Sequence, residues 1–420
     1  MEVVIIGAGV SGLSCAQELT RSGHAVTVYE RGRSVGGRCS TWRVEGGHLI
    51  DYGVTYYHGE SETFLQALRN VEGTRIDGWP FEIEGNGIPC QPHSLSPRAW
   101  RLAFTDGVNR FPKHLARNIV VKTGYKADRL ETTSAGLRVY FEGGEELTTR
   151  NAILAMPSEQ IKPLIEPLSY GSDEARGVAH LISTLHSVPS LTVLATYQPE
   201  VGRAVSDPMW DIYLPDSSDI VQLISRESAK RPCVHGEAFV IQARVGWSSR
   251  HIDEKPKDWS ANIIAETARL AGDWLGKPVW TRAHRWKFSR TDIGGELVSP
   301  ILVHTGEFRL GLAGESFERD RPAEFSRREP IETDVILSDL KSTIEQSIAA
   351  IGTFSEDHLL ERSSIQGYEV TGLAAVFHVV EHFSLHTGQI VYATKLLLNE
   401  DLSLYDAEGH RIDGRNNDTP

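Results

Sequence analysis

An unbroken apolar run from Val3 to Ile6 gives way at once to Gly7-Ala8-Gly9-Val10-Ser11-Gly12, and apolar residues then return at Leu13, Ala16 and Leu19. A short all-apolar run fits a strand buried on both faces, and recurrence every three or four residues marks one side of a helix, so the pattern predicts strand, tight turn, helix. Gly23 supplies a helix stop, Ala25 to Tyr29 a second strand, and Glu30 its polar end. From about Ile182 to Trp259 apolar and polar residues alternate with period two, which predicts the strands of a second sheet. Near the C-terminus Leu337, Leu340, Ile344, Ile348 and Ile351 form one apolar stripe, and Val376, Val380, Phe383, Thr387, Ile390, Thr394 and Leu397 another, so two amphipathic helices are expected. Two helices cannot close a core. Either they dock on the preceding domain or two chains pair their hairpins into a four-helix bundle, making a homodimer.

Composition narrows the class. A chain of 420 residues is long enough for roughly two or three folding units. Its 43 basic and 56 acidic residues give a formal charge of −13, which argues against nucleic acid or an anionic membrane as the main partner. No apolar run is long enough for a membrane helix. The N-terminal run has no basic flank and is broken by glycines, so it reads as the first strand of a mature domain and not as a secretory signal. The four cysteines, Cys15, Cys39, Cys90 and Cys233, are scattered without zinc or redox spacing, as expected of a soluble cytoplasmic protein without disulfides.

The glycine turn carries the first chemistry. Gly7 permits the sharp turn, Gly9 lets backbone amides approach a pyrophosphate, and Gly12 lets the helix pack on the strand. The phosphates of a dinucleotide would then sit at a helix N-terminus, and Glu30 would accept hydrogen bonds from ribose hydroxyls. A glutamate there disfavours a 2′-phosphate, although Arg31 and Arg33 follow closely. Trp79, Phe81, Trp210, Tyr213 and Trp247 could line an apolar pocket, but large aromatics are more often core.

The continuation to Gly36-Gly37-Arg38 resembles the flavin monoamine oxidase and protoporphyrinogen oxidase group of FAD-dependent oxidoreductases. Asp51-Tyr52-Gly53-Val54-Thr55-Tyr56-Tyr57, Asp106 to Asn109, Val120-Val121, Ala152 to Pro157 and Arg285-Trp286-Lys287-Phe288 are similar to its renalase-like branch. The resemblance covers about residues 1–317. It implies an α/β fold in which a Rossmann-type FAD-binding domain (1–60, 100–160 and 275–317) is interleaved with a mixed-sheet substrate domain (61–99 and 161–274). It also implies that Gly36 and Gly37 pass close to the flavin diphosphate, that Arg38 pairs with its charge, that Asp51 and Gly53 lie near the isoalloxazine ring and that Val121 lies near the adenine. Close to the end, Phe308 to Gly314 matches a second flavin-contact motif, but Glu315 stands where the family has aspartate. The extra methylene moves the carboxylate by about 1.5 Å. The helix that closes the flavin site in the family has no counterpart here, because ten of the fifteen residues from Glu315 to Glu329 are charged or proline.

Residues 318–406, with Val380-Glu381-His382-Phe383-Ser384-Leu385-His386-Thr387-Gly388-Gln389-Ile390, resemble the second half of a DinB-like four-helix protein, a superfamily of divalent-metal-binding bundles; 407–420 read as a disordered tail. His378, His382 and His386 form a column along one helix, and the resemblance selects His382 and His386 as a metal pair. The other half of the bundle, with its further ligand, is absent, which favours a plain polar flank. The implied activity is that of a renalase-like FAD oxidoreductase. It would take a hydride from an amine or a dihydronicotinamide and pass electrons to oxygen, with a non-covalent flavin because no cysteine follows Cys233. The alternative is a catalytically impaired flavoprotein whose tail serves dimerisation or metal binding.

Overall fold

A computed structural model describes residues 1–89, 92–170, 173–198, 210–231, 236–292, 297 and 301–317, together with short pieces between 341 and 374. The chain divides into two compact units, Met1–Arg328 and Glu329–Pro420.

In the first unit the apolar opening run is the strand Glu2–Ile6, at the centre of a six-stranded sheet. Ala25–Glu30 and Asn151–Leu154 flank it in parallel, with Val120–Thr123 beyond the former and Arg309–Leu312 beyond the latter. Ile301–His304 closes that edge antiparallel. Both faces of the central strand are covered, which is why its sequence is apolar without alternation. Val3 and Ile5 pack with Leu13 and Ala16 of the helix Val10–Arg21, with Leu65 and Leu68 of the helix Glu62–Arg69, and with Phe104 and Phe111. Val4 and Ile6 point the other way, onto Leu137, Val139, Ile161, Leu164 and Ile182. Ile5 and Leu13 are wholly buried, each contributing about 2 kcal/mol through apolar burial.

The predicted alternation after Ile182 forms a second six-stranded sheet, in the order Trp280–Thr291, Ser187–Tyr197, Glu237–Ala243, Val221–Arg226, Ile212–Tyr213, Ile83–Glu84. Leu191, Val193 and Ala195 face Trp247, Trp259 and Ile263 of the helices Val245–His251 and Pro256–Ala271. The opposite face presents Leu194 and Val240 to Val44 and Ile50. Thus the second sheet rests on the short strand pair Thr41–Arg43 and Leu49–Asp51.

The expected domain limits need correction in three places. Trp280–Thr291, placed by its position in the chain with the nucleotide-binding part, pairs with Ser187–Tyr197 in the second sheet, from Ser187 opposite Thr291 to Thr196 opposite Trp280. The helices Ser158–Ile165 and Asp173–Thr184 supply Ile161, Leu164, Val178 and Ile182 to the core of the first sheet, and Glu62–Arg69 packs on its other face. Periodicity reveals an element's buried side but not the surface it meets. Of the five aromatics, Trp79, Trp210 and Trp247 are buried as core, whereas Phe81 is 62 % exposed.

In the second unit, Arg362–Ile365 and Tyr368–Thr371 form an antiparallel hairpin. Lys341, Glu345 and Ile348 are helical, within the first of the two predicted C-terminal helices. The rest of that helix and all of the second, including His378, His382 and His386, lie outside the described residues.

Candidate functional site

The turn after the first strand sits where the chain leaves the central strand with neighbours on both sides, the place where open α/β sheets bind ligands. Gly7 has φ +109°, and a Cβ there would run into the Ala155 carbonyl; a Cβ on Gly12 would run into the Gly7 carbonyl. Gly9 differs: its Cβ position has nothing within 4 Å. The helix Val10–Arg21 starts at Gly9 with no side-chain cap and no acidic residue in its first turn, so its terminal N–H groups and positive dipole end face this opening. Glu30 accepts hydrogen bonds from Ala8 N at 2.9 Å and Gly32 N at 2.7 Å, which holds its carboxylate against the turn. Gly36 N donates to Ala8 O at 2.9 Å, and the Cβ position of Gly37 lies 3.6 Å from Gly9 Cα, so the Gly36-Gly37 turn lies on the same loop. Val121 pairs with Val28 on the strand beside Glu30.

Beyond Gly37 the second set of predicted residues converges. Val54 N donates to Arg38 O at 3.1 Å. Gly53 packs so tightly under Arg38 and Trp286 that a Cβ would meet the indole at 2.9 Å and collide with the Arg38 carbonyl. Arg38 Nη1 donates to Ser289 O at 3.0 Å and forms an ion pair with Glu315. Glu315 opens the short turn Glu315–Phe317 directly after Gly314, which has φ +130°. Trp286 Nε1 donates to Tyr52 O at 3.1 Å, and its ring stacks on Tyr52 with centroids 5.3 Å apart. His284 completes this wall, 4.3 Å from Trp286 and 4.9 Å from Tyr52. Burial, with the nearby Arg282 adding to it, pushes the His284 imidazole down to about 4, so it is neutral at pH 7.

Asp51 is placed differently from its neighbours. Its side chain is wholly buried: Oδ1 accepts from Thr41 Oγ1 at 2.7 Å and Val108 N at 3.1 Å, while Oδ2 accepts from Lys230 Nζ at 2.8 Å and Arg231 Nη2 at 2.6 Å. Glu227 closes the cluster, 2.7 Å from Lys230 and 2.9 Å from Arg231, and accepts from Asp51 N at 2.9 Å. Burial by itself would raise the Asp51 carboxyl; the adjacent Lys230 and Arg231 more than offset this and hold it below its ordinary value. With both oxygens engaged, the Asp51 carboxylate serves to hold the loop 51–55 in place. Lys230 also donates to Thr55 O at 2.9 Å, and Gln242 Nε2 to Gly53 O at 2.9 Å, so segment 51–55 is pinned from the second sheet. Sequence reading singled out none of Glu227, Lys230, Arg231, Gln242 or Ser289. For Glu227, Lys230 and Arg231 the signal was a run of charge, 226–231, closing a strand of otherwise apolar alternation; Gln242 and Ser289 had none.

The residues present fit FAD: an open, uncapped helix end beside Gly9 for the diphosphate, an acid at the end of the second strand for ribose, and open space at Gly314, whose Cβ position has nothing within 4 Å, for the flavin half. The metal pair His382 and His386 lies outside the described residues, and among the described residues no cluster of three or more His, Cys, Asp or Glu side chains could hold a metal ion. Of the thiols, Cys15 and Cys39 are free, and burial raises both above the ordinary value. Among the described residues no helix is long and apolar enough to cross a membrane.

Comparison with known proteins agrees with this geometry. Residues 5–71 match an NAD(P)-binding Rossmann-like domain, 84–315 the flavin containing amine oxidoreductase family, and 295–406 a family described only as a protein of unknown function (DUF1572). The chain is 38 % identical over 71 residues to 15-cis-phytoene desaturase of Synechococcus elongatus, covering 17 % of this chain and 15 % of that protein. It is 30 % identical over 149 residues to the FAD-dependent monooxygenase thnD of Trichoderma harzianum, covering 34 % and 35 %. The chain therefore aligns with about a third or less of these relatives' lengths. Cyclohexylamine oxidase from Brevibacterium oxydans shares the fold, with a TM-score of 0.56 and 14 % identity over 75 % of this chain and 93 % of that one. Since the match at residues 84–315 spans more than half of the sequence, the chain belongs to the flavin containing amine oxidoreductase family.

Proposed function

We propose that this protein is an FAD-dependent oxidoreductase that takes a hydride from a carbon bonded to nitrogen, in an amine or, in renalase fashion, a dihydronicotinamide, and passes the electrons to oxygen. The observation that carries this reading is the convergence of Gly36-Gly37-Arg38, Gly53 and Gly314-Glu315, remote in sequence, on one end of the nucleotide sheet. Bound FAD would supply the two-electron chemistry. The protein's own part is to hold and to exclude. Gly9 and the helix end receive the diphosphate, Glu30 the ribose, and Tyr52, His284 and Trp286 form an aromatic cluster beside Gly53, the two larger rings stacked and His284 edge-on to both, that keeps water from that side of the site. No general base is assigned: a dihydronicotinamide has no N–H proton to lose, and an amine gives its ammonium proton to solvent before the hydride leaves. The purified protein is expected to be yellow with extractable FAD, to bleach anaerobically with reduced nicotinamides or amines, and to recover its colour in air. A colourless protein that takes up no added FAD would sink the reading.

A second part of the proposal, resting on the resemblance of Val380 to Ile390, is that the tail is the remaining half of a DinB-like bundle and pairs with the tail of another copy. His382 and His386 of two copies would then supply four ligands to a divalent cation. Metal analysis of the wild type and His382→Ala tests this, with equal metal content in the two excluding the site.

A further inference from the structure

Three carbonyls of segment 51–55 are held by side chains from the second sheet and from the turn after one of its strands. Trp286 Nε1 donates to Tyr52 O at 3.1 Å, Gln242 Nε2 to Gly53 O at 2.9 Å and Lys230 Nζ to Thr55 O at 2.9 Å. From the opposite side, Tyr52 N donates to Ser40 O and Val54 N to Arg38 O, each at 3.1 Å. In a trans peptide the carbonyl and the following N–H point opposite ways. Holding Gly53 O from the second sheet therefore aims Val54 N at Arg38, and holding Tyr52 O turns Gly53 N away from Trp286. Among the described residues Gly53 N donates to no acceptor.

Gln242 is out of keeping with its strand. In Glu237–Ala243, Phe239, Ile241 and Ala243 pack in the core with Trp247 and Trp259, while Ala238 and Val240 meet Val44 and Ile50 on the other face. Position 242 shares the face of 238 and 240, where an apolar side chain would pack. The amide there is accounted for by its hydrogen bond to Gly53 O.

We propose that Gln242 is a positioning residue for the flavin: through its hydrogen bond to Gly53 O, the second sheet fixes the Gly53 peptide against the isoalloxazine ring. This rests on the FAD reading above, in which Gly53 lies near that ring. Position 53 must be glycine, because a Cβ would collide with the Arg38 carbonyl and meet the Trp286 indole at 2.9 Å. Glycine, however, is the residue whose backbone is freest to turn. Gln242 and Trp286, by holding the carbonyls on either side of the Gly53 Cα, remove that freedom and keep Gly53 N–H in one orientation. A group set in place before the ligand arrives costs no ordering on binding, so the hydrogen bond contributes to affinity for the ring half of FAD and not for its nucleotide half.

The test is titration of the flavin-free, full-length protein with FAD and with ADP, for the wild type, Gln242→Met and Gln242→Glu, with the visible flavin band recorded for each. Methionine keeps the length of the side chain and removes the donor. Gln242→Met is expected to bind FAD about three- to tenfold more weakly, the worth of one hydrogen bond, with a shifted flavin band and unchanged ADP affinity. Gln242→Glu can donate to Gly53 O only when its carboxyl is protonated, so its loss of FAD affinity relative to wild type at the same pH should be smaller at pH 5 than at pH 8. Wild-type FAD affinity and an unchanged band in Gln242→Met, or an equal loss for ADP and FAD, overturns the proposal and leaves Gln242 as a fastening between the sheets. Should Gln242→Met fail to fold, Gln242→Glu decides: a loss that is the same at both pH values overturns it. If the wild type itself takes up no FAD, the proposed function falls, and the role of Gln242 with it.

Discussion

At the residue scale the three glycines of the first turn have distinct duties that substitution should separate. Gly12→Ala drives a methyl into the Gly7 carbonyl, so it should destabilise the fold by about 1–3 kcal/mol, read as a lower denaturant midpoint. Gly9→Ala has open space for its methyl and an ordinary φ of −74°. It should leave the midpoint of the flavin-free protein unchanged and weaken FAD binding about tenfold, roughly 1.4 kcal/mol, because the methyl occupies the diphosphate's approach. His284 makes a pH prediction. Its imidazole titrates near 4 in the folded chain and near 6.5 when unfolded, so between these values the unfolded state binds more protons. Stability should therefore fall as pH drops from about 6.5 toward 4, and His284→Phe should flatten that slope. Sequence alone could assign the glycines, since backbone chemistry at a turn is local. It could not assign His284, whose neutrality comes from burial, with Arg282 adding to it.

At the element scale the notable feature is the turn 227–231, which inserts Glu227, Lys230 and Arg231 against Asp51 at the seam between the two sheets. Two acids and two bases balance in charge, and each has a hydrogen-bond partner, the condition under which buried ions are tolerated. Lys230→Met should cost about 3–5 kcal/mol in denaturant unfolding by leaving Asp51 and Glu227 with Arg231 alone. Adding Asp51→Asn to it should recover part of that loss, since the second change removes an unpaired charge. The nucleotide strand and helix were legible because propensity, period and glycine placement agree over residues 2–30. The grouping of later elements was not: Trp280–Thr291 and the helices near 158–184 each show a clear buried side, yet strand register and helix docking depend on surfaces far away in sequence.

At the scale of the whole molecule the chain divides into two compact units, Met1–Arg328 and Glu329–Pro420. Removing residues 318–420 tests what the tail contributes. If the tail is an assembly element, gel filtration should show a dimer becoming a monomer with flavin content unchanged. Loss of FAD on truncation would instead make the tail the substitute for the closing helix.

What the sequence determined by itself was local chemistry: a buried strand, a glycine turn that admits a diphosphate, the acid that follows it, and by resemblance the segments expected around a flavin. Those features act within a few residues of one another, so their order in the chain is enough. Tertiary structure decided everything that depends on charge meeting charge across the fold. Arg38 finds Glu315 and Asp51 finds Lys230 because two sheets fold against a common seam, and no spacing along the chain encodes that encounter.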